Sequence, residues 1–343
     1  MKDSLKYIFD SLLSFLSPII YRLKSRKVIL VYHDLYGRKD QKYMDNEAYL
    51  SKDIRLDIDR FEAQLQWLSL FTDFVSLDEL FKKRKKSGKH RWQVAITFDD
   101  AYQNVFQLGL SLLEMYQAPV TIFVPVYYIE NKSSLPWWDL ITIISEKYDG
   151  LFEISIGGRT LRFDLKKNKE KNRFLQELEY TFFYSRPHEV MHLQSLLEAK
   201  AKERISLPLN GMVNKEELIK AGKSDLITFG SHTARHINMG LATLEEMKAE
   251  LQESITKLKS WTGKNIVWFS YPFGKSAFRS KESTEQIKCF GFCGALTTDP
   301  GYINQKTDRY QIPRLPVDGR WNMQTFRSRV LTANFYATIQ KFP

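Results

Sequence analysis

The segment Ala95-Ile96-Thr97-Phe98-Asp99-Asp100 sets two adjacent carboxylates at the end of an apolar run that reads as a buried strand. Far downstream, His232-Thr233-Ala234-Arg235-His236 offers two imidazoles four positions apart, a spacing that lets both reach one metal from a single helical turn. One carboxylate and two imidazoles make three protein ligands, which leaves a tetrahedral Zn²⁺ an open position for water. That combination is hydrolytic chemistry. Either half alone is a weak signal, since aspartates favour helix caps and turns. Their joint placement after apolar strands, with Tyr271-Pro272-Phe273-Gly274 further on, gives the reading its weight.

The elements that must position these residues follow a β/α rhythm. Val28 to His33 reads as a strand ending on a histidine, Gln93 to Thr97 as the strand that delivers the acid pair, and Leu226 to Phe229 as the one that delivers His232. Further strands are expected at Phe74-Ser76, Val120-Pro125, Ile266-Ser270 and Phe292-Thr297, with helical patterns between them, the signature of a parallel sheet or barrel. Thr243-Leu244-Glu245-Glu246 is a capping box, and the stripe Leu244, Met247, Leu251, Ile255, Leu258 predicts a helix closed by Gly263. Pro136-Trp137-Trp138-Asp139 reads as an aromatic turn. Between about 151 and 207 the pattern breaks: Gly157-Gly158 predicts a small hairpin, followed by charged helical sequence. The chain therefore reads as residues 1–27, an amphipathic N-terminal helix, followed by one catalytic domain over 28–343 carrying an insertion at about 151–207. All the suspected chemistry falls just after strand ends, where parallel β/α folds build their sites.

With 343 residues, 43% of them hydrophobic, the chain can bury a large core. Lys plus Arg outnumber Asp plus Glu by 51 to 40, a formal charge of +11, which points to an anionic partner. No zinc-finger spacing or continuous basic helix accompanies it, so nucleic acid is not expected. Cys289 and Cys293 alone make neither a zinc ribbon nor a disulfide framework and read as small buried thiols. Tyr7 to Ile20 is apolar but shorter than the ~20 residues that span a bilayer. A basic run rather than a cleavage site follows it. Such a segment either lies on an anionic membrane face or packs on the domain itself. The expected location is cytoplasmic, peripheral on the inner face of the cell membrane. Lys82 to Lys86 reads as a solvated helix end, and His188 and His192 as structural residues of the insertion.

The order of these segments resembles the polysaccharide deacetylases of carbohydrate esterase family 4. Thr97-Phe98-Asp99-Asp100 looks like the family's first motif, Ser231 to His236 its second, and Phe269 to Gly274 its third. Within the family, Tyr32-His33 with Phe61 to Phe81 is most similar to poly-β-1,6-N-acetylglucosamine de-N-acetylases and related capsule and O-antigen enzymes. The resemblance implies a distorted (β/α) barrel in which Asp100, His232 and His236 hold a divalent metal. That metal would be Zn²⁺ first, with Co²⁺, Ni²⁺ or Mn²⁺ also accepted by such ligands. It implies that Asp99 is the general base, that the Phe273 N–H is an oxyanion donor, and that Arg314 orients Asp99 or binds substrate. A second acid beside the ligand makes chemical sense, because it stays free to take a proton from the attacking water. Many family members carry a late histidine as the acid. This chain has none beyond His236; in the de-N-acetylases it most resembles, the acid comes from the first strand, so the resemblance implies His33 as the proton donor to the leaving amine. Tyr271, Trp137, Trp138 and Asp139 are the expected substrate contacts, the two indoles serving as a sugar-stacking platform or as core.

Two departures from the family pattern are visible. Ala101 stands where glycine usually follows the acid pair, and Ile237 where proline usually follows the second histidine. Neither removes a ligand. The implied activity is removal of N-acetyl groups from amino sugars of a bacterial surface polysaccharide or its lipid-linked precursor. The same metal site would serve an O-acetyl esterase or a deformylase. A catalytically silent carbohydrate-binding protein is the non-enzymatic alternative, against which the intact acids and histidines argue.

Overall fold

A computed structural model describes residues 26–37, 54–82 and 91–333. The expected N-terminal helix and nearly all of the Lys82–Lys86 run lie outside them. The chain folds as a distorted β/α barrel around one parallel sheet. In spatial order the strands are Gly294–Leu296, Trp268–Ser270, Ile227–Ser231, Val120–Val124, Trp92–Phe98, Lys27–Tyr32 and Leu315–Pro316. Thr72–Phe74 pairs with the start of Trp92–Phe98. The strands Lys27–Tyr32 and Val120–Val124 are buried almost end to end, as expected of a parallel sheet covered on both faces. Trp92 and Trp268 are wholly buried, and each contributes about 2–3 kcal/mol of apolar burial.

Register decides what meets at the sheet's C-terminal edge. Tyr32 lies beside Phe98, Val124 beside Ser231, and Ser231 beside Phe269. The residues that follow, His33, Asp99-Asp100, His232 and the 271–274 turn, therefore emerge along one rim. Leu30 pairs with Leu315, which puts Arg314 below that rim, pointing a long side chain up toward it.

The helix Leu244–Thr262 has the expected capping box between Thr243 and Glu246 and ends at Gly263 with φ +66°. The 151–207 segment forms the expected hairpin, Leu151–Ile156 against Arg159–Asp164. Its turn glycines both have positive φ, as a two-residue type I′ turn requires. The helices Asn168–Tyr184 and Pro187–Lys202 follow, and the latter carries His188 and His192. Hairpin and helices enclose a second apolar core, separate from that of the barrel. It also takes in Leu135, Trp137, Leu140 and Ile144, so this core begins upstream of the hairpin. Pro136 to Asp139 is not a turn: Pro136 caps the helix Trp137–Lys147, its fixed φ suiting entry into a helix.

Cys289 and Cys293 are both exposed rather than buried. Phe292 and Ile287 take the inward positions beside them, and one larger apolar side chain per turn is enough to fill that space. No helix among the described residues is long and apolar enough to cross a membrane.

Candidate active site

Asp100, His232 and His236 converge at the rim, each offering one ligand atom, with all three atoms within 4.8 Å of one another. Asp100 Oδ1 lies 3.6 Å from His232 Nε2 and 3.5 Å from His236 Nε2. These separations are close to the roughly 3.3 Å that neighbouring ligands of a tetrahedral ion keep when each bond is near 2 Å. Asp100 Oδ1 is buried and has no hydrogen-bond partner, so a cation there would satisfy an atom the protein leaves unsatisfied. Burial, and then the neighbouring charge of Asp99, push the Asp100 carboxyl well above its ordinary range. Burial lowers His232 to about 4 against the pull of Asp99, and lowers His236 as well. Neutral imidazoles beside a carboxylate that needs a countercharge fit a divalent metal.

The histidines do not share a helical turn, contrary to the sequence expectation. Residues 232–236 form an irregular turn with Thr233 at φ +58° and His236 at +56°, and the rings meet at 4.7 Å. Asp100, Ala101 and Phe273 are also left-handed. Among described non-glycine residues, all but Gln117 of those with positive φ sit at this site, the clustering of backbone strain that functional sites show. Ala101 in a left-handed conformation explains why glycine suits that position. Gly274 is fixed twice over: its φ is +69°, and a Cβ there would stand 2.4 Å from the Thr298 side chain.

Sequence reasoning missed the residue that holds the histidine turn. Glu250, 5% exposed on the helix Leu244–Thr262, accepts the backbone N–H groups of Ala234 and Arg235 at 2.8 Å each and pairs with the Arg235 guanidinium at 2.9 Å. A lone acid on the apolar face of that helix was the available signal. His232 Nδ1 lies 2.8 Å from the Ser270 carbonyl, which leaves Nε2 to the metal position. His236 Nδ1 has no partner. Its ring is held instead by Trp138 at 4.5 Å and Phe273 at 4.6 Å.

Asp99 is gripped rather than free. Arg314 meets it with two contacts of 2.7 Å and also bonds Thr97, Ser270 and the Thr297 carbonyl. Ser270 donates to Asp99 Oδ2 at 3.2 Å. Burial pushes this carboxyl up, but Arg314, then His232, outweigh it and hold Asp99 well below the usual carboxylate range. Asp99 therefore stays ionised, and Oδ1, with one bond to Arg314, keeps a lone pair for another donor.

A cavity of about 190 Å³ opens over these groups, lined by His33, Asp99, Asp100, His232, His236, Trp137, Trp138 and Phe273. Glu179 and Phe183 of the insertion helix form part of its wall, a contribution nothing in the sequence announced. Trp137 stacks on Phe182 at 4.7 Å and is 4% exposed, so most of its ring is core. Trp138 donates to the Tyr102 hydroxyl at 2.9 Å and faces the cavity more openly. Two expected substrate contacts lie elsewhere. Tyr271 is fully buried and its hydroxyl bonds Thr284 and the Tyr310 carbonyl, because the strand's alternation turns it inward. Asp139, 3% exposed, lines a different cavity, since one residue along the helix from Trp138 rotates the side chain by about 100°.

The comparisons agree with this arrangement. Poly-beta-1,6-N-acetyl-D-glucosamine N-deacetylase of Staphylococcus aureus is 26% identical over 196 residues, 54% of this chain and 65% of that protein, so the chain spans just under two thirds of that relative. The Staphylococcus epidermidis protein of the same name is 24% identical over 216 residues, 60% of this chain and 72% of its own length. In fold, the Streptococcus pyogenes deacetylase PplD, solved with acetate, superposes with TM-score 0.56 at 15% identity, covering 88% of this chain and 97% of that one. A de-N-acetylase from Aggregatibacter actinomycetemcomitans gives 0.54 at 13% identity, covering 88% and 99%. The polysaccharide deacetylase profile matches residues 86–292. That stretch runs from the approach to the acid pair to beyond the Tyr271-Pro272 turn, and the chain belongs to the polysaccharide deacetylase family.

Proposed function

We propose that this protein hydrolyses the N-acetyl amide of N-acetylglucosamine units in a bacterial polysaccharide, with a divalent cation held by Asp100, His232 and His236. The observation that carries the reading is the juxtaposition of an orphaned Asp100 Oδ1 with a second carboxylate, Asp99, kept ionised by Arg314. The staphylococcal relatives' name supports the substrate class. When bound, the cation lowers the pKa of water toward about 7 and polarises the amide carbonyl.

The chain's own groups do the rest. Asp99 accepts the proton of the attacking water through the lone pair that Arg314 leaves on Oδ1. The N–H of Phe273, at the left-handed turn on the cavity wall, donates to the developing oxyanion. His33, emerging beside Asp99 from the adjacent strand, delivers a proton to the departing amine. Trp138 presents an aromatic face to the sugar ring.

The test is to incubate the purified, zinc-supplemented protein with β-1,6-linked N-acetylglucosamine oligomers and measure acetate and free amine together. Equal release of both supports the reading. O-acetylated and N-formylated oligomers run in parallel separate the rivals: acetate without new amine from the first alone shows an esterase, formate from the second alone a deformylase, and no product from any of the three with tight sugar binding a silent lectin-like protein. The formal charge of +11 supports contact with an anionic membrane, which co-sedimentation with anionic but not neutral vesicles checks.

A further inference from the structure

A second cavity of about 250 Å³ lies behind the first. The chain crosses between the two at three places: His33, Asp100 and Trp138 line the reaction cavity, while Asp34, Tyr102 and Asp139 line the other. The hydrogen bond from Trp138 Nε1 to the Tyr102 hydroxyl closes the wall between them.

Two carboxyl groups that the proposed reaction does not use line this second space, Asp34 at 2% and Asp139 at 3% exposure. Asp34 Oδ2 takes Arg55 Nε at 3.1 Å and Asn104 Nδ2 at 3.5 Å. Its Oδ1 is buried without any partner. Asp139 accepts a long bond of 3.4 Å from the Tyr102 hydroxyl and has no ion-pair partner among the described residues. The Arg55 guanidinium pairs with Asp34, while no cationic side chain among the described residues pairs with Asp139, so Asp139 is ionised in this space only when a cation reaches it. Leu135 and Ile143 add apolar groups to the same lining, Ile143 one helical turn on from Asp139. A pyranose has matching features, an apolar C–H face and a polar edge.

We propose that this second cavity binds an amino sugar carrying a free, protonated primary amine, the group that the reaction proposed above would release. The ammonium pairs with Asp139 and gives Asp34 Oδ1 the donor it lacks, while the ring lies against Leu135 and Ile143. An N-acetylated sugar brings no charge and a bulkier substituent, so the cavity distinguishes product from substrate. The identity of the sugar's amine as product rests on the proposed function; the binding itself does not.

Calorimetry of the full-length, zinc-loaded protein at pH 7 tests this with glucosamine, N-acetylglucosamine and methylamine. Glucosamine is expected to bind one to one, at least tenfold more tightly than either of the others. Asp139→Asn should weaken it tenfold or more. Leu209→Trp, at an exposed position on the cavity lining (68% exposed), should do the same while leaving acetate release from short acetylated oligomers unchanged. Equal affinity for glucosamine and N-acetylglucosamine overturns the proposal, as does glucosamine binding that survives both variants. Methylamine binding as tightly as glucosamine overturns the sugar part. Absence of acetate release from any substrate would refute the proposed reaction, and the calorimetric result would still decide the second cavity.

Discussion

Arg314 and Asp99, 215 positions apart in the chain, meet through two parallel contacts of 2.7 Å, with the arginine wholly buried and the aspartate 2% exposed. The pair lies beneath the rim, and its geometry fixes both the charge and the direction of the carboxylate. Arg314→Ala leaves that charge buried and alone, and should cost about 3–5 kcal/mol of stability, read from urea unfolding. Asp99→Asn keeps the shape and removes the base, so acetate release per folded molecule should fall by about 10² to 10⁴; it also leaves the buried Arg314 guanidinium without its countercharge, so it should cost stability as well, read from the same urea unfolding. Unchanged acetate release in Asp99→Asn would remove it from the base role.

Burial and the charge of Asp99 raise the Asp100 carboxyl well above its ordinary range, so the metal-free protein must take up a proton there, at a cost in stability near neutral pH. Asp100→Asn should therefore raise the melting temperature of chelator-treated protein, yet abolish stoichiometric Zn²⁺ binding and the stabilisation it brings. In the wild type that stabilisation is about 4 kcal/mol at a metal concentration 1,000 times Kd. Chelation should stop acetate release, and added Zn²⁺ or Co²⁺ should restore it. Differential scanning calorimetry with and without metal settles the matter; an Asp100→Asn apoprotein that melts below the wild-type apoprotein contradicts the account.

His33, placed beside Asp99 by the pairing of Tyr32 with Phe98, is assigned the proton that the amine takes. His33→Gln should slow amide hydrolysis by about 10² or more and leave an aryl acetate, whose leaving group needs no proton, within a few-fold of wild type. Equal losses on both substrates would mean that the imidazole does something else.

Glu250 organises the histidine turn without touching the cavity. Glu250→Ala strands two backbone N–H groups and leaves Arg235 to Glu253 alone, so metal affinity should drop by about 10- to 100-fold with kcat largely kept at saturating metal. A fall in kcat that extra metal does not repair would instead give Glu250 a direct part in the chemistry.

Asp34 supplies a pH dependence with a defined sign. Burial raises its carboxyl to about 6 although Arg55 pulls the other way, so the native state binds the proton more tightly than the unfolded chain. The resulting stability is present below the unfolded pKa and is lost as pH rises through 6, an effect of at most about 3 kcal/mol. Unfolding midpoints measured from pH 4.5 to 7.5 should fall with pH in the wild type relative to Asp34→Asn. Parallel curves would show that Asp34 ionises alike in both states.

The strands and the groups at their ends were legible because a strand buried on both faces is apolar throughout and its last residue marks a rim. That is how Asp99, Asp100, His232 and His33 could be read together. Side-chain direction was harder. Asp139 sits one position from Trp138 and Tyr271 two from Phe273, both of which line the cavity, and so short a step along the chain turns a side chain to another environment. The histidine turn escaped because its spacing mimics a helix while its left-handed residues forbid one. Glu250 and Ser270 act by gripping neighbours, and partner choice across the sheet depends on register, which no local pattern states. Cys289 and Cys293 were misplaced because cysteine's preference for the interior is a tendency that two adjacent aromatic and aliphatic side chains can satisfy first.

Phe183 and Glu179 reach the catalytic cavity from a helix whose own apolar side belongs to the second core, with Phe174, Leu178 and Phe182 anchoring it there. One wall of the cleft is thus mounted on a body that the barrel's packing does not set. Replacing or resizing side chains in that outer body would tilt the wall and reshape the entrance while the sheet, the clamp and the ligand trio stay put, so that, under the proposed function, glycan preference could evolve largely uncoupled from the proposed hydrolytic groups.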